Sequence, residues 1–152
     1  MVVSEVLGFN PPRRALQRVY ERLLAAYGPQ HWWPGDSPFE VMVGAVLTQN
    51  TAWRNVERAI ANLEAAGALT PTAVASLPPA ELAALIRPAG YFNVKARRLQ
   101  AFCRFLLEAG GVDALGARPT EALRHALLAF HGIGTETADD ILLYAFARPV
   151  FV

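Results

Sequence analysis

The chain has 152 residues, of which 53% are hydrophobic and 18% charged, and its formal net charge is +1. That length supports one well-filled core but hardly two, and the near-neutral balance lacks the global basic signature of a strongly electrostatic nucleic-acid binder. No apolar run approaches the ~20 residues of a membrane span, no signal-peptide pattern opens the chain, and the single cysteine, Cys103, excludes an internal disulfide, so a soluble cytoplasmic protein is expected.

Caps and periodicity place the helices in order along the chain. Asn10-Pro11 is expected to open one that runs to Gly28, with Leu16, Val19 and Leu23 on its inner face. Ser37-Pro38-Phe39-Glu40 has the form of a capping box and opens a helix toward Leu47. A third helix spans roughly 51–66 and stops at Gly67. Thr70-Pro71 and Pro78-Pro79 start two short ones, Phe92 begins a long one that ends near Glu108, and Pro119-Thr120 opens another. No segment alternates as a strand does, so an all-α fold is expected. Cys103 sits among Phe102, Phe105 and Leu106 and reads as a buried, inert thiol.

Residues 127–144 are the most informative stretch. They read as a helix end, a tight turn at Gly132-Ile133-Gly134, and a second helix opening at Thr135. Two glycines allow a sharp turn and a close external approach to the backbone, and a helix start presents free N–H groups suited to a phosphate. Lys95 is the only lysine among 14 basic residues; the rest are arginines, gathered at Arg13, Arg14, Arg18 and Arg22 and again beside Lys95 at Arg97 and Arg98. Taken alone, such runs read as solvated helix faces.

This hairpin resembles the helix-hairpin-helix of the endonuclease III superfamily of DNA glycosylases, and two further blocks agree with it in order along the chain. Ala45-Val46-Leu47-Thr48-Gln49-Asn50-Thr51 is similar to the helix end and loop from which the family pushes a polar side chain into the duplex. Gly90-Tyr91-Phe92-Asn93-Val94-Lys95-Ala96 matches a segment that closes against the DNA backbone. The resemblance spans about residues 15–152. It implies an all-α helical bundle with an incomplete second lobe, organised as an N-terminal helix and pocket segment over 1–37 and a lobe over 38–152 with the helix-hairpin-helix at 120–147.

It also implies roles for particular residues. Gln49 holds the wedge position, where a flat amide fills the gap left by an extruded base, with Asn50 beside it. Lys95, Arg97 and His131, with Gly132, Ile133, Gly134 and Thr135, are expected to meet DNA. Where strand-nicking members carry a lysine that forms a Schiff base with the sugar, this chain has Glu136, so no lyase chemistry is expected. Trp32, Trp33, Pro34 and Trp53, with Glu136, are expected to line the base pocket. Indoles hold a flipped base by stacking and favour a cationic one.

The Trp-Trp-Pro block, the Thr-Gln-Asn-Thr block and the Gly-Ile-Gly-x-Glu-x-Ala-Asp block together look like the 3-methyladenine DNA glycosylase branch. That branch implies base-excision repair of alkylated purines in double-stranded DNA by a monomer at the bacterial nucleoid. It implies no metal and no iron–sulfur cluster. The family's catalytic aspartate would fall about two residues after Val152, so a truncated product or a fragment, inactive by itself, is expected. The alternative is a non-catalytic module that recognises distorted or alkylated DNA.

Overall fold

The structure, a computed structural model, describes residues 12–150. The expected helix start at Asn10-Pro11 lies outside them, as does Val152. The chain divides into two compact units, residues 1–32 and 33–152.

In the first unit, helix α1 (Arg13–Tyr27) begins after Pro12 and ends at Gly28, whose φ of 70° is a conformation glycine adopts without steric strain. Leu16, Val19 and Leu23 are exposed, which corrects the expected inner face. The periodicity is real, but a helix by itself has nothing within its own unit to bury that stripe against.

The second unit is a helical bundle with no strand among the described residues. Helix α2 (Pro38–Leu47) is its centre, and every residue from Val41 to Leu47 is buried. Its start is fixed by Ser37, whose Oγ accepts the Glu40 N–H at 3.2 Å. The Glu40 carboxylate reaches back to the Asp36 N–H at 3.0 Å, one residue earlier than a capping box requires. Helix α3 (Trp53–Ala65) and the short α4 (Pro71–Ser76) follow, the latter capped by Thr70 Oγ1 on the Ala73 N–H. Next come α5 (Pro79–Leu85), a 3-10 turn at Arg87–Ala89, and the long α6 (Phe92–Glu108), which packs along α4 and α5.

Helix α7 (Val112–Gly116), which leaves no clear periodic signal in five residues, precedes α8 (Thr120–Ala129). Helix α9 (Thr135–Asp140) then runs into a π-helical segment at Ile141–Ala145, which packs on α2. Met42, Leu47, Leu63, Leu99, Phe102, Leu127 and Ile141 are among the side chains sealed in one continuous core. Cys103 is buried with them, and desolvation pushes its thiol up to about 12, which makes it inert at neutral pH.

Candidate nucleic-acid interface

Helices α8 and α9 form the expected hairpin. The turn depends on Gly132, whose φ of 100° disfavours any L side chain. A Cβ there would also stand 3.1 Å from Arg98 Cδ, so the hairpin backbone and α6 lie in close contact. Gly134 differs: its φ is −88°, and a Cβ on it would meet nothing within 4 Å. Nothing inside the protein requires glycine at that position, which leaves room for an external group to approach.

Ile133 is buried at 6% exposure and joins the core, so its side chain anchors the hairpin and does not meet DNA. Its N–H is taken by Phe130 O at 3.2 Å. The N–H groups of Gly132, Gly134 and Thr135 have no acceptor among the described residues, and His131 is exposed beside them. Asp139 turns away from this face: Arg124 Nε and Nη2 donate to its two carboxylate oxygens at 2.7 and 2.9 Å, tying α8 to α9. Glu136 stays on this face.

A cleft of about 600 Å³ opens at the hairpin between Gln49-Asn50 and the start of α9, and Glu136 and Asp140 line it. These two carboxylates are the only charged groups in its lining. Burial, followed by the Glu136 and Asp139 charges, raises the Asp140 pKa above the ordinary carboxylate value. Ionised, Glu136 and Asp140 favour a cation within the cleft, while the free N–H groups of Gly134 and Thr135, which also line it, are its anion-accepting part.

Gln49 spans the cleft. Its Nε2 donates to Gly132 O and to Thr137 Oγ1, each at 3.1 Å, and its Oε1 accepts from Arg98 Nη1 at 3.5 Å. The expected wedge residue is here folded onto the hairpin and would have to exchange these bonds to enter a duplex. Asn50 is exposed, with the positive φ of 54°.

Two expectations need correction. Lys95 is buried at 3% exposure, because its ammonium is used internally on two backbone carbonyls, and it cannot reach a phosphate in this conformation. Arg97 is exposed as expected, whereas Arg98, absent from the expected DNA contacts, reaches the hairpin. The tryptophans fall in different units. Trp32 belongs to the first unit and is 75% exposed, and Pro34 is exposed.

Trp33 and Trp53 pack edge-to-face at 5.3 Å, and Trp33 stacks on Tyr144 of the π-helical segment at 5.1 Å. Gly44 lets both indoles lie against α2, since a Cβ there would stand 3.2 Å from Trp53 and 3.3 Å from Trp33 Nε1. None of the three tryptophans lines the cleft; Glu136 does. The parts missed from sequence, Thr137, Asp140 and Arg98, gave no local signal, because their roles arise from contacts between distant segments.

The fold and this site define a helix-hairpin-helix lobe built on the plan of DNA base-excision proteins. Residues 43–151 match the HhH-GPD superfamily base excision DNA repair protein family, and the chain belongs to that family. It is 45% identical over 140 residues to a DNA repair glycosylase candidate of Methanocaldococcus jannaschii, an alignment covering 90% of this chain and 64% of that protein. It is 33% identical over 112 residues to endonuclease III of Thermotoga maritima, covering 74% of this chain and 49% of the relative.

Among solved structures, the H. pylori 3-methyladenine DNA glycosylase MagIII bound to 1,N6-ethenoadenine superposes with a TM-score of 0.76 at 34% identity, covering 91% of this chain and 66% of that one. A non-covalent endonuclease III–DNA complex gives 0.74 at 23% identity, covering 93% and 64%, and supports the fold. The chain thus spans between half and two-thirds of the length of these relatives.

Proposed function

We propose that this chain provides the DNA-engaging lobe of a monofunctional glycosylase that excises alkylated purines such as 3-methyladenine. It engages double-stranded DNA as a monomer in the cytoplasm, flips the damaged base and hydrolyses the N-glycosidic bond. The observation that carries this reading is the cleft at the hairpin, whose only charged lining groups are Glu136 and Asp140. A carboxylate where nicking relatives place an amine cannot form a Schiff base. Two carboxylates also favour a base that carries positive charge.

The magnitude decides how much they contribute. A unit charge about 4 Å from a carboxylate gains roughly 4 kcal/mol at an effective dielectric of about 20, against about 1 kcal/mol in bulk water. A partly open cleft lies between these limits, enough for selectivity but not for the whole of binding. The edge-to-face indoles Trp33 and Trp53 serve this reading as the wall against α2, with the flipped base meeting the hairpin side. The 152 residues hold one cysteine and so do not by themselves supply a four-thiolate set for an iron–sulfur cluster.

The test is base release from methylated duplex DNA by the intact gene product. Free 3-methyladenine should appear, with strand breaks only after alkali. Breaks without alkali would exclude the monofunctional reading. Duplex binding with no base release would leave the non-catalytic module. Glu136→Gln should reduce discrimination of a cationic purine over a neutral one by about tenfold, or roughly 1.4 kcal/mol.

A further inference from the structure

Lys95 is the only lysine of the chain and is 3% exposed, with no carboxylate paired to it among the described residues. Burying an ammonium without a counter-ion is unfavourable. Desolvation, helped by the Arg98 charge, holds its pKa below the usual lysine value. A methionine would fill the same space without that penalty, so the ammonium must do something an apolar group cannot. Its bonds show what that is: Nζ donates to Leu47 O at 2.8 Å and to Ala89 O at 2.7 Å. Each acceptor is the last residue of a helical segment, α2 in one case and the 3-10 turn in the other. Helix ends of this kind present unpaired carbonyls with partial negative charge, which accommodates a cation between them.

Two or three residues beyond each acceptor, a residue other than glycine has a positive φ. Asn50 has φ 54° and Tyr91 has φ 46°. Such conformations persist only where the surroundings over-determine them. Both residues are exposed, and with Gln49, Val94, Lys95 and Arg98 they line a cavity of about 180 Å³ beside the hairpin cleft.

We propose that Lys95 is a positioning residue for DNA engagement: its buried ammonium clamps the end of α2 to the 3-10 turn and so fixes the separation of Asn50 and Tyr91 on the face that meets the duplex. The inference rests on the reading that this face binds DNA. It assigns the phosphate contacts of this region to Arg97 and Arg98 in place of Lys95.

Two measurements on the full chain test it. Reductive methylation with labelled formaldehyde modifies amines, and only Lys95 and the N-terminus offer one. Lys95 should react far more slowly than the N-terminal amine, at a rate that bound duplex leaves unchanged. Reaction at the rate of a free lysine, or slowing by duplex, would overturn the clamp. The second measurement is duplex affinity against salt for Lys95→Met, which keeps most of the stem volume. Affinity should fall about tenfold while the slope of log affinity against log salt stays as in the unaltered chain. Loss of about 0.9 from the slope is the mark of one phosphate contact; that result, or unchanged affinity, would overturn the proposal. Where the methionine variant does not fold, Lys95→Gln, which keeps two N–H donors on a shorter stem, is read by the same two outcomes. Failure of the unaltered chain to bind duplex at low salt would remove the DNA reading itself, a result distinct from failure of the clamp, which shows only on substitution.

Discussion

Gly132 and Gly134 are two residues apart and identical in type, yet the structure gives them different physical jobs. Gly132 is required by its own backbone, since its φ of 100° costs an L residue roughly 1–2 kcal/mol, and by its contact with Arg98. Gly134 has an ordinary φ and open space around it. Gly132→Ala should therefore lower the melting temperature, whereas Gly134→Ala should leave it unchanged or raise it, as Gly→Ala does at compatible sites by about 0.4–1 kcal/mol. Gly134→Ala should nonetheless weaken duplex binding, because the side chain projects where a phosphate would approach. Full affinity in a normally folded Gly134→Ala would show that nothing comes close to that backbone. Asp140 supplies the pH dependence at this scale. Its folded pKa is raised, so the ionised form is disfavoured in the folded state, and the cost is present above the folded pKa and absent below the unfolded value of about 3.9. Asp140→Asn should raise the melting temperature at neutral pH and make no difference near pH 3. Equal melting temperatures at both pH values would show a well-solvated carboxylate.

At the scale of elements, the lobe depends on helix ends placed by side chains. Ser37 sets the start of α2, and α2 carries the buried residues from Val41 to Leu47 that position the Gln49-Asn50 loop. Removing that cap with Ser37→Ala should cost about 1 kcal/mol, within the usual 0.5–2 for a lost N-cap, read by denaturant titration. Thr70→Ala at the start of α4 should cost a similar amount and add to it, since the two caps share no partner. A Ser37→Ala cost near zero would mean that the Asp36–Glu40 bond alone holds the entry to α2. The hairpin is fastened from outside by Gln49, which binds Gly132 O and Thr137 Oγ1, and from within by Arg124, which binds Asp139. Its two helices are short, and tertiary bonds supply what helix length does not.

For the whole molecule, a net charge of +1 limits how electrostatic its DNA binding can be. The side chains available for phosphate on the expected DNA-facing segments are Arg97, Arg98 and His131, so the salt slope of duplex binding should be about −2 to −3, at roughly 0.9 per phosphate. A slope of about −6 or steeper would bring in a second basic face, and Arg13, Arg14, Arg18 and Arg22, all exposed on α1, are the residues to test. Such modest electrostatics suit a protein that holds its target through a cleft and a hairpin more than through long-range attraction.

Local chemistry was enough to read the helices, because proline, serine and threonine caps and terminating glycines act within one turn of the residues they control. Ser37, Thr70, Gly28 and Gly67 show this directly. The turn at Gly132 was legible for the same reason, since one residue decides it. What only the tertiary structure decided was direction. A sequence does not say whether a lysine ending a basic run faces solvent or two backbone carbonyls, and Lys95 faces the carbonyls because folding brings the end of α2 beside the 3-10 turn. Nor does it say which aromatics share a cluster: Trp33 joined Trp53 and Tyr144, while Trp32, one residue earlier, stayed exposed. The cleft joins residues 48–50 to residues 132–140 and exists only because those segments meet, although both its carboxylates come from the second.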